Sequence, residues 1–236
     1  MAKIDDILAG CLMSASRDGP LVIPWFYTSK TQVPVRAFDE LDEWRRYVEN
    51  LRLADCVWPA ALQKYERALK LYYLAWLDAD LIKAAELVAL TALELALRER
   101  YLKKIIAHGG DRGPKGNKVS LRALLQYMVE QDDLSDDKLP CVHQYGGSVV
   151  RNLYESDQER NKRTHMSVGK NYDKMQIVAE PPITLDMIRN KAAHGDPFDG
   201  MPWGGLFEVV HDLIEYASRD RMTTELWPAV SAVQGL

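Results

Sequence analysis

The stretch LIKAAELVALTALELALRERYLKKIIA, residues 81–107, decides the fold. Almost every position is a good helix former, and between Leu87 and Leu97 the apolar side chains fall on all sides of a 3.6-residue helix. A helix that is apolar all round needs neighbours all round, so this one is expected at the centre of a bundle. His108-Gly109-Gly110 marks its end, because glycine takes the left-handed conformation that closes helices.

Outward from that helix the same period recurs. Leu41, Trp44, Tyr47, Val48 and Leu51 form one stripe, which predicts a helix over residues 38–53. Pro59 sits where a first turn tolerates it, and Leu62, Tyr65, Leu69, Tyr72, Tyr73 and Trp76 continue a second helix. Ser120 is placed to cap a helix carrying Leu121, Leu124, Leu125, Met128 and Val129. Thr184 is placed to cap LDMIRNKAAH, which Gly195, Asp196 and Pro197 end, and a last helix is expected from Leu206 to Arg219. Only LVIPWFY and MQIV read as runs able to pair as strands. The expected class is all-α: an irregular N-terminal extension over residues 1–37, a helical domain over 38–220 interrupted by a long polar insertion at 132–180, and a tail at 221–236.

The 236 residues, 47% hydrophobic and 27% charged, are ordinary for a globular chain and exclude collagen-like or low-complexity architectures. Even the most apolar run contains Glu94, so no membrane span is expected. MAKIDDILAG puts two aspartates where a signal peptide needs an apolar run, and Cys11, Cys56 and Cys141 are far apart and odd in number. These features predict a reduced, cytoplasmic setting. A net charge of −4 excludes nucleic-acid binding by bulk electrostatics, leaving any such role to local patches. Arg98, Arg100, Lys103, Lys104, Arg112, Lys115 and Lys118 make one, which also reads simply as a solvated helix end and polar loop.

Several familiar sites are missing from the sequence. There is no HExxH, no CxxC pair and no GxSxG, and GGDRGPKGNK lacks the Lys-Ser/Thr pair of a phosphate loop. Asp132, Asp133, Asp136 and Asp137 lack the grammar of a calcium loop. No metal or cofactor is expected.

What stands out is Arg189-Asn190-Lys191-Ala192-Ala193-His194 at the end of the short helix. Asn190 and His194 are four apart and share a face; Arg189 is offset from His194 by about 140°, within reach of a long side chain. A histidine in the last turn feels the negative end of the helix dipole, which favours imidazolium and suits acid–base chemistry. A guanidinium nearby is the planar donor best matched to phosphate. His194-Gly195 also reads as a plain helix C-cap, as His108-Gly109 does. Glu94, a carboxylate inside an apolar helix, needs a partner. Arg98, one turn on, is one; Arg189, whose guanidinium Glu94 would then fix in a cleft, is the other.

MIRNKAAHG resembles the late-helix motif of the HEPN superfamily, higher eukaryotes and prokaryotes nucleotide-binding domains, in which an Arg is followed four to six residues later by His. LVALTALELALRERYLKK, with its acidic residue in an apolar helix, is similar to the family's bundle helices, and the resemblance spans residues 38–220. It implies a metal-independent endoribonuclease, with RNA as substrate, acting as a homodimer whose two motifs face each other in a composite site. His194 would then be the acid or base at the 2′-hydroxyl or leaving 5′-oxygen, Arg189 would stabilise the phosphorane, and Asn190 would orient either; Lys191 would add an RNA contact. A toxin or antiviral-defence role, with an antitoxin or activator protein as partner, follows from the same resemblance. So does the alternative, a non-catalytic scaffold or a nucleotide- or RNA-binding regulatory partner. Position 196, where one subfamily carries a modified tyrosine, is Asp196. Arg160, Asn161, Lys162, Arg163 and His165 repeat the pattern in the polar insertion without apolar flanks, as an RNA-contacting loop or a coincidence.

Overall fold

A computed structural model of the chain describes residues 17–24, 35–108, 119–145, 148–154, 184–194 and 205–231. Within them are seven α-helices: α1 Leu41–Glu49, α2 Pro59–Leu74, α3 Leu81–Ala107, α4 Leu121–Glu130, α5 Pro140–Tyr145, α6 Leu185–His194 and α7 Leu206–Ser231. Two single 3₁₀ turns, Asp136–Lys138 and Val150–Asn152, and one pair of short strands complete them. The class is all-α, as the periodicity predicts.

α3 is the axle. Ala85, Ala89, Leu90, Ala92, Leu93, Ala96 and Leu97 are all fully buried on one broad face, about 160° wide at 100° per residue, whereas Leu87, Val88, Thr91, Glu94 and Leu95 on the other face are half-buried. The small alanines let α2 and α7 approach closely on their sides, while α4 and α6 cover the rest. Each buried leucine here contributes about 1.5–3 kcal/mol from lost water contact; the apolar residues expected on all sides are therefore fully buried only where α2 and α7 pack, and Leu87, Val88 and Leu95 stay half-buried. Aromatic rings lock the outer helices at one end. Tyr72 of α2 stacks on Phe207 of α7 at 3.9 Å and 7°, and Trp44 of α1 meets Tyr72 edge-on at 4.7 Å. The Trp44 indole N–H, buried, donates to the Tyr73 carbonyl at 3.0 Å.

The boundaries differ from the sequence reading in four places. β1, Leu21–Pro24, pairs antiparallel with β2, Val35–Phe38, with Leu21 opposite Phe38. LVIP was legible as a strand; its partner VRAF was not, because only Phe38 of the four is buried. The helix expected from residue 38 therefore begins at Leu41. The first part of the segment read as an insertion folds onto the bundle instead of looping away from it: Leu134, Leu139, Cys141, Val149 and Leu153 are buried, and the Leu185 N–H donates to the Leu153 carbonyl at 3.2 Å. Finally, α7 runs past Arg219 to Ser231, since neither glycine nor proline intervenes before Pro228. MQIV lies outside the described residues.

Two helix starts show how local chemistry sets the frame of the site. The Ser120 hydroxyl accepts the Ala123 N–H at 3.2 Å, the expected N-cap of α4. Thr184 does something else: its hydroxyl donates to the Asp186 carboxylate at 2.5 Å, and its carbonyl accepts the Ile188 N–H. Gly205, the residue just before α7, has a φ of 81°, a conformation an L side chain rarely adopts.

Candidate functional site

α3, the start of α4, and α6 enclose a cavity of about 440 Å³. Glu94 and Arg98 reach it from α3, Ser120 and Arg122 from the start of α4, and Asp186, Arg189 and Asn190 from α6. Leu185 and Ile188 anchor α6 by burying one side; Arg189 stands on its flank and Asn190 on the far side, and both line the opening. Arg98, Arg122 and Arg189 thus line one cleft with the carboxylates of Glu94 and Asp186; Arg98 is turned to Glu94 and the Val119 carbonyl, so Arg189 is the guanidinium held ready for an anion.

Glu94 accepts from both of the partners considered for it. Its Oε1 takes two hydrogen bonds from Arg98, at 3.1 Å from Nε and 2.8 Å from Nη2, and its Oε2 takes one from Arg189 Nη2 at 2.9 Å. The carboxylate is 15% exposed and Arg189 36%, so the bridge is shielded on one side and open to the cleft on the other. Arg189 Nη1 also donates to the Asn190 side-chain oxygen at 3.1 Å. Among the described residues, two of its five N–H donors are engaged in this way. Arg98 Nη2 further donates to the Val119 carbonyl at 2.7 Å, tying α3 to the approach of α4.

His194 does not join them. It is the last residue of α6, is exposed, and is not among the residues lining the cleft. Five residues carry it roughly 7.5 Å further along the helix axis than Arg189 and round to another face. No hydrogen bond joins its ring to another described side chain. Arg189, Asn190 and Glu94 are thus brought together, and His194 is separate. The side chain of Lys191 and all of Arg160, Lys162, Arg163 and His165 lie outside the described residues. Arg122 and Asp186 were not singled out in the sequence. Their only signal was position, one beside a helix cap and the other in a first turn.

A second, smaller polar cavity, about 210 Å³, lies between β2, α1, α5 and α7. Glu208 and Asp212, one turn apart on α7, are each 6% exposed. Glu208 Oε1 accepts from the Tyr47 hydroxyl, while its Oε2 is buried without a partner among the described residues. Burial accordingly pushes the Glu208 carboxyl above its usual range. Asp212 is satisfied, by the Cys141 N–H at 2.6 Å and by His211 Nδ1 at 3.0 Å. Burial alone would lower His211; the Asp212 carboxylate outweighs it and leaves the imidazole raised.

The acidic loop is structural. Asp136 accepts the Val149 and Val150 N–H groups at 2.9 and 2.8 Å and the Ser148 hydroxyl at 2.8 Å, capping the second 3₁₀ turn. Asp132 accepts from Arg219 and Tyr101. Among the described residues no three His, Cys, Asp or Glu side chains form a group able to hold a metal ion, and no helix is long and apolar enough to cross a membrane. Compared with known proteins, the chain matches no family model, no curated protein and no solved structure.

Proposed function

We propose that this protein is a metal-independent endoribonuclease of HEPN type, acting as a homodimer. The observation that carries the reading is the Glu94–Arg189 pair: a guanidinium pinned by a shielded carboxylate on the wall of a cleft able to receive a phosphodiester. In this reading the 2′-hydroxyl attacks the adjacent phosphorus. One His194 imidazole takes its proton, and the bond to the 5′-oxygen breaks as that oxygen is protonated by the imidazolium of the partner's His194. The products are a 2′,3′-cyclic phosphate and a 5′-hydroxyl, and DNA, lacking the nucleophile, is not cut. Arg189 carries the extra negative charge of the phosphorane and Asn190 holds the guanidinium edge. An exposed His194 at a helix end is free to meet a second copy, the arrangement that a composite site needs. A toxin or defence effector, restrained by an antitoxin or switched on by an activator protein, is the biological role consistent with that activity.

The test is purified protein with RNA in excess EDTA. Cleavage with cyclic-phosphate ends, lost in H194A and R189A, is the expected outcome; cleavage only on adding a divalent ion would overturn the mechanism. A second reading, a non-catalytic scaffold or nucleotide-binding regulator, draws on the separation of His194 from the cleft. It predicts RNA or nucleotide binding that R189A abolishes and H194A leaves intact, with no product from either protein.

A further inference from the structure

We infer that Arg98 is the positioning residue of this cleft: it orients Arg189 through Glu94 without itself meeting the reacting phosphate, an inference that rests on the ribonuclease reading above. The argument is one of degrees of freedom. A glutamate has three rotatable side-chain bonds, and a carboxylate with a single partner across a helix interface can swing about that contact. Arg98 removes the freedom by gripping Oε1 with two donors, Nε and Nη2, on the same helix one turn away. The grip leaves Oε2, and only Oε2, turned toward α6, where Arg189 Nη2 meets it at 2.9 Å.

Arg98 is itself fixed from a third direction, since its Nη2 also reaches the Val119 carbonyl at 2.7 Å. The chain of restraint therefore runs from the backbone ahead of α4, through Arg98 and Glu94, to Arg189. Each link is a charge-assisted or short hydrogen bond, and the last guanidinium is held at two points, by Glu94 and Asn190. An arginine so held spends little rotamer entropy when an oxyanion arrives, whereas a released one must be ordered first. Charge leads to the same division of labour. Glu94 cancels one of its two arginines, so the pair Arg98–Glu94 is close to neutral and Arg189 is left as the exposed positive charge of the triad.

Arg98→Met keeps the side-chain volume and removes the grip. In single-turnover cleavage the rate should fall about 10- to 100-fold, the usual cost of a misplaced catalytic group, with the RNA dissociation constant changed less than about threefold. R98M combined with E94Q should be no slower than E94Q alone, because both break one chain. A wild-type rate in R98M, or losses that multiply in the double variant, would overturn the inference. Side-chain ¹⁵N NMR of Arg189 gives a readout that needs no activity: restricted rotation of its guanidinium in the wild type should become free averaging in R98M. If wild-type protein does not cut RNA, the ribonuclease reading fails, while this signature still decides the restraint; an unchanged Arg189 signal sinks it. Should R98M not fold, R98K, which keeps the charge but offers one donor nitrogen in place of two, should show intermediate restriction, and wild-type restriction there counts against the role of the two-nitrogen grip.

Discussion

Replacing Asp132 with asparagine should unfasten the far end of the bundle, and its size follows from the contacts. The carboxylate takes a forked pair from Arg219, Nη2 to Oδ1 at 2.8 Å and Nη1 to Oδ2 at 3.0 Å, together with the Tyr101 hydroxyl at 2.5 Å. Tyr101 lies on α3, Arg219 on α7, and Asp132 just after α4, so one side chain joins three helices. Asparagine with its oxygen in the Oδ2 position still accepts from Tyr101 and Arg219 Nη1, but loses the charge and turns Oδ1 into an NH₂ facing Arg219 Nη2. Shielded hydrogen bonds to charged groups are worth about 1.5–3 kcal/mol, and exposed ion pairs about 0–1 kcal/mol. With Asp132 16% and Arg219 34% exposed, the loss falls in the lower part of the shielded range, at about 2 kcal/mol. For a chain of this length that is a drop of roughly 4–8 °C in Tm. The pH dependence is fixed in sign. Burial alone would raise the Asp132 carboxyl, but Arg219 and Tyr101 outweigh it and hold it below the usual carboxylate range. Its contribution is therefore complete above the unfolded value of about 3.9 and fades as pH falls through the folded one. Urea denaturation of wild type and D132N at pH 7 and at steps below pH 4 measures both. A difference under about 0.5 kcal/mol at pH 7, or one that does not narrow in acid, would refute the account.

Two further outcomes are expected. Glu208→Gln keeps an acceptor for Tyr47 and removes a buried charge with an unpartnered oxygen, so its effect has the opposite sign with pH. Because the folded carboxyl is raised, wild type loses stability relative to E208Q as pH climbs through the unfolded value of about 4.3, by about 1–3 kcal/mol at pH 7; superimposable stability curves from pH 4 to 7 would contradict this. Ser120→Ala removes the cap of α4 and should cost about 1 kcal/mol, or roughly 2–4 °C in Tm, and an unchanged melting curve would show that the Ala123 N–H finds another acceptor.

What the sequence revealed and what it hid divide along the range of each interaction. The helix over residues 81–107 was legible to within a residue because its signal repeats every turn and needs no partner to be read. The Ser120 cap was legible for the same reason, being a hydroxyl three residues from the N–H it accepts. VRAF was not, because a strand with one buried residue in four carries no alternation of its own and exists through pairing with residues 21–24. The buried leucines between residues 134 and 153 were masked by the aspartates and glycines around them. Those polar residues turned out to be the means of attachment, with Asp132 and Asp136 using their carboxylates as ties to backbone and side chains.

The candidate site obeys the same division, and Glu94 is its sharpest case. Arg98 and Arg189 were weighed as rival partners because a sequence offers one carboxylate and asks which cation takes it. A carboxylate has two oxygens, and each is a separate acceptor. The intrahelical partner, four residues away, occupies one, and the partner 95 residues away occupies the other. The local pair does not compete with the distant one; by fixing the carboxylate plane it makes the distant one directional. A costly charge in an apolar helix is therefore tolerated where one of its oxygens is spent on the fold and the other on the cleft. This is why removing Glu94 is expected to release Arg189 while α3, still held by the buried face that Leu90, Leu93 and Leu97 present to its neighbours, keeps its place.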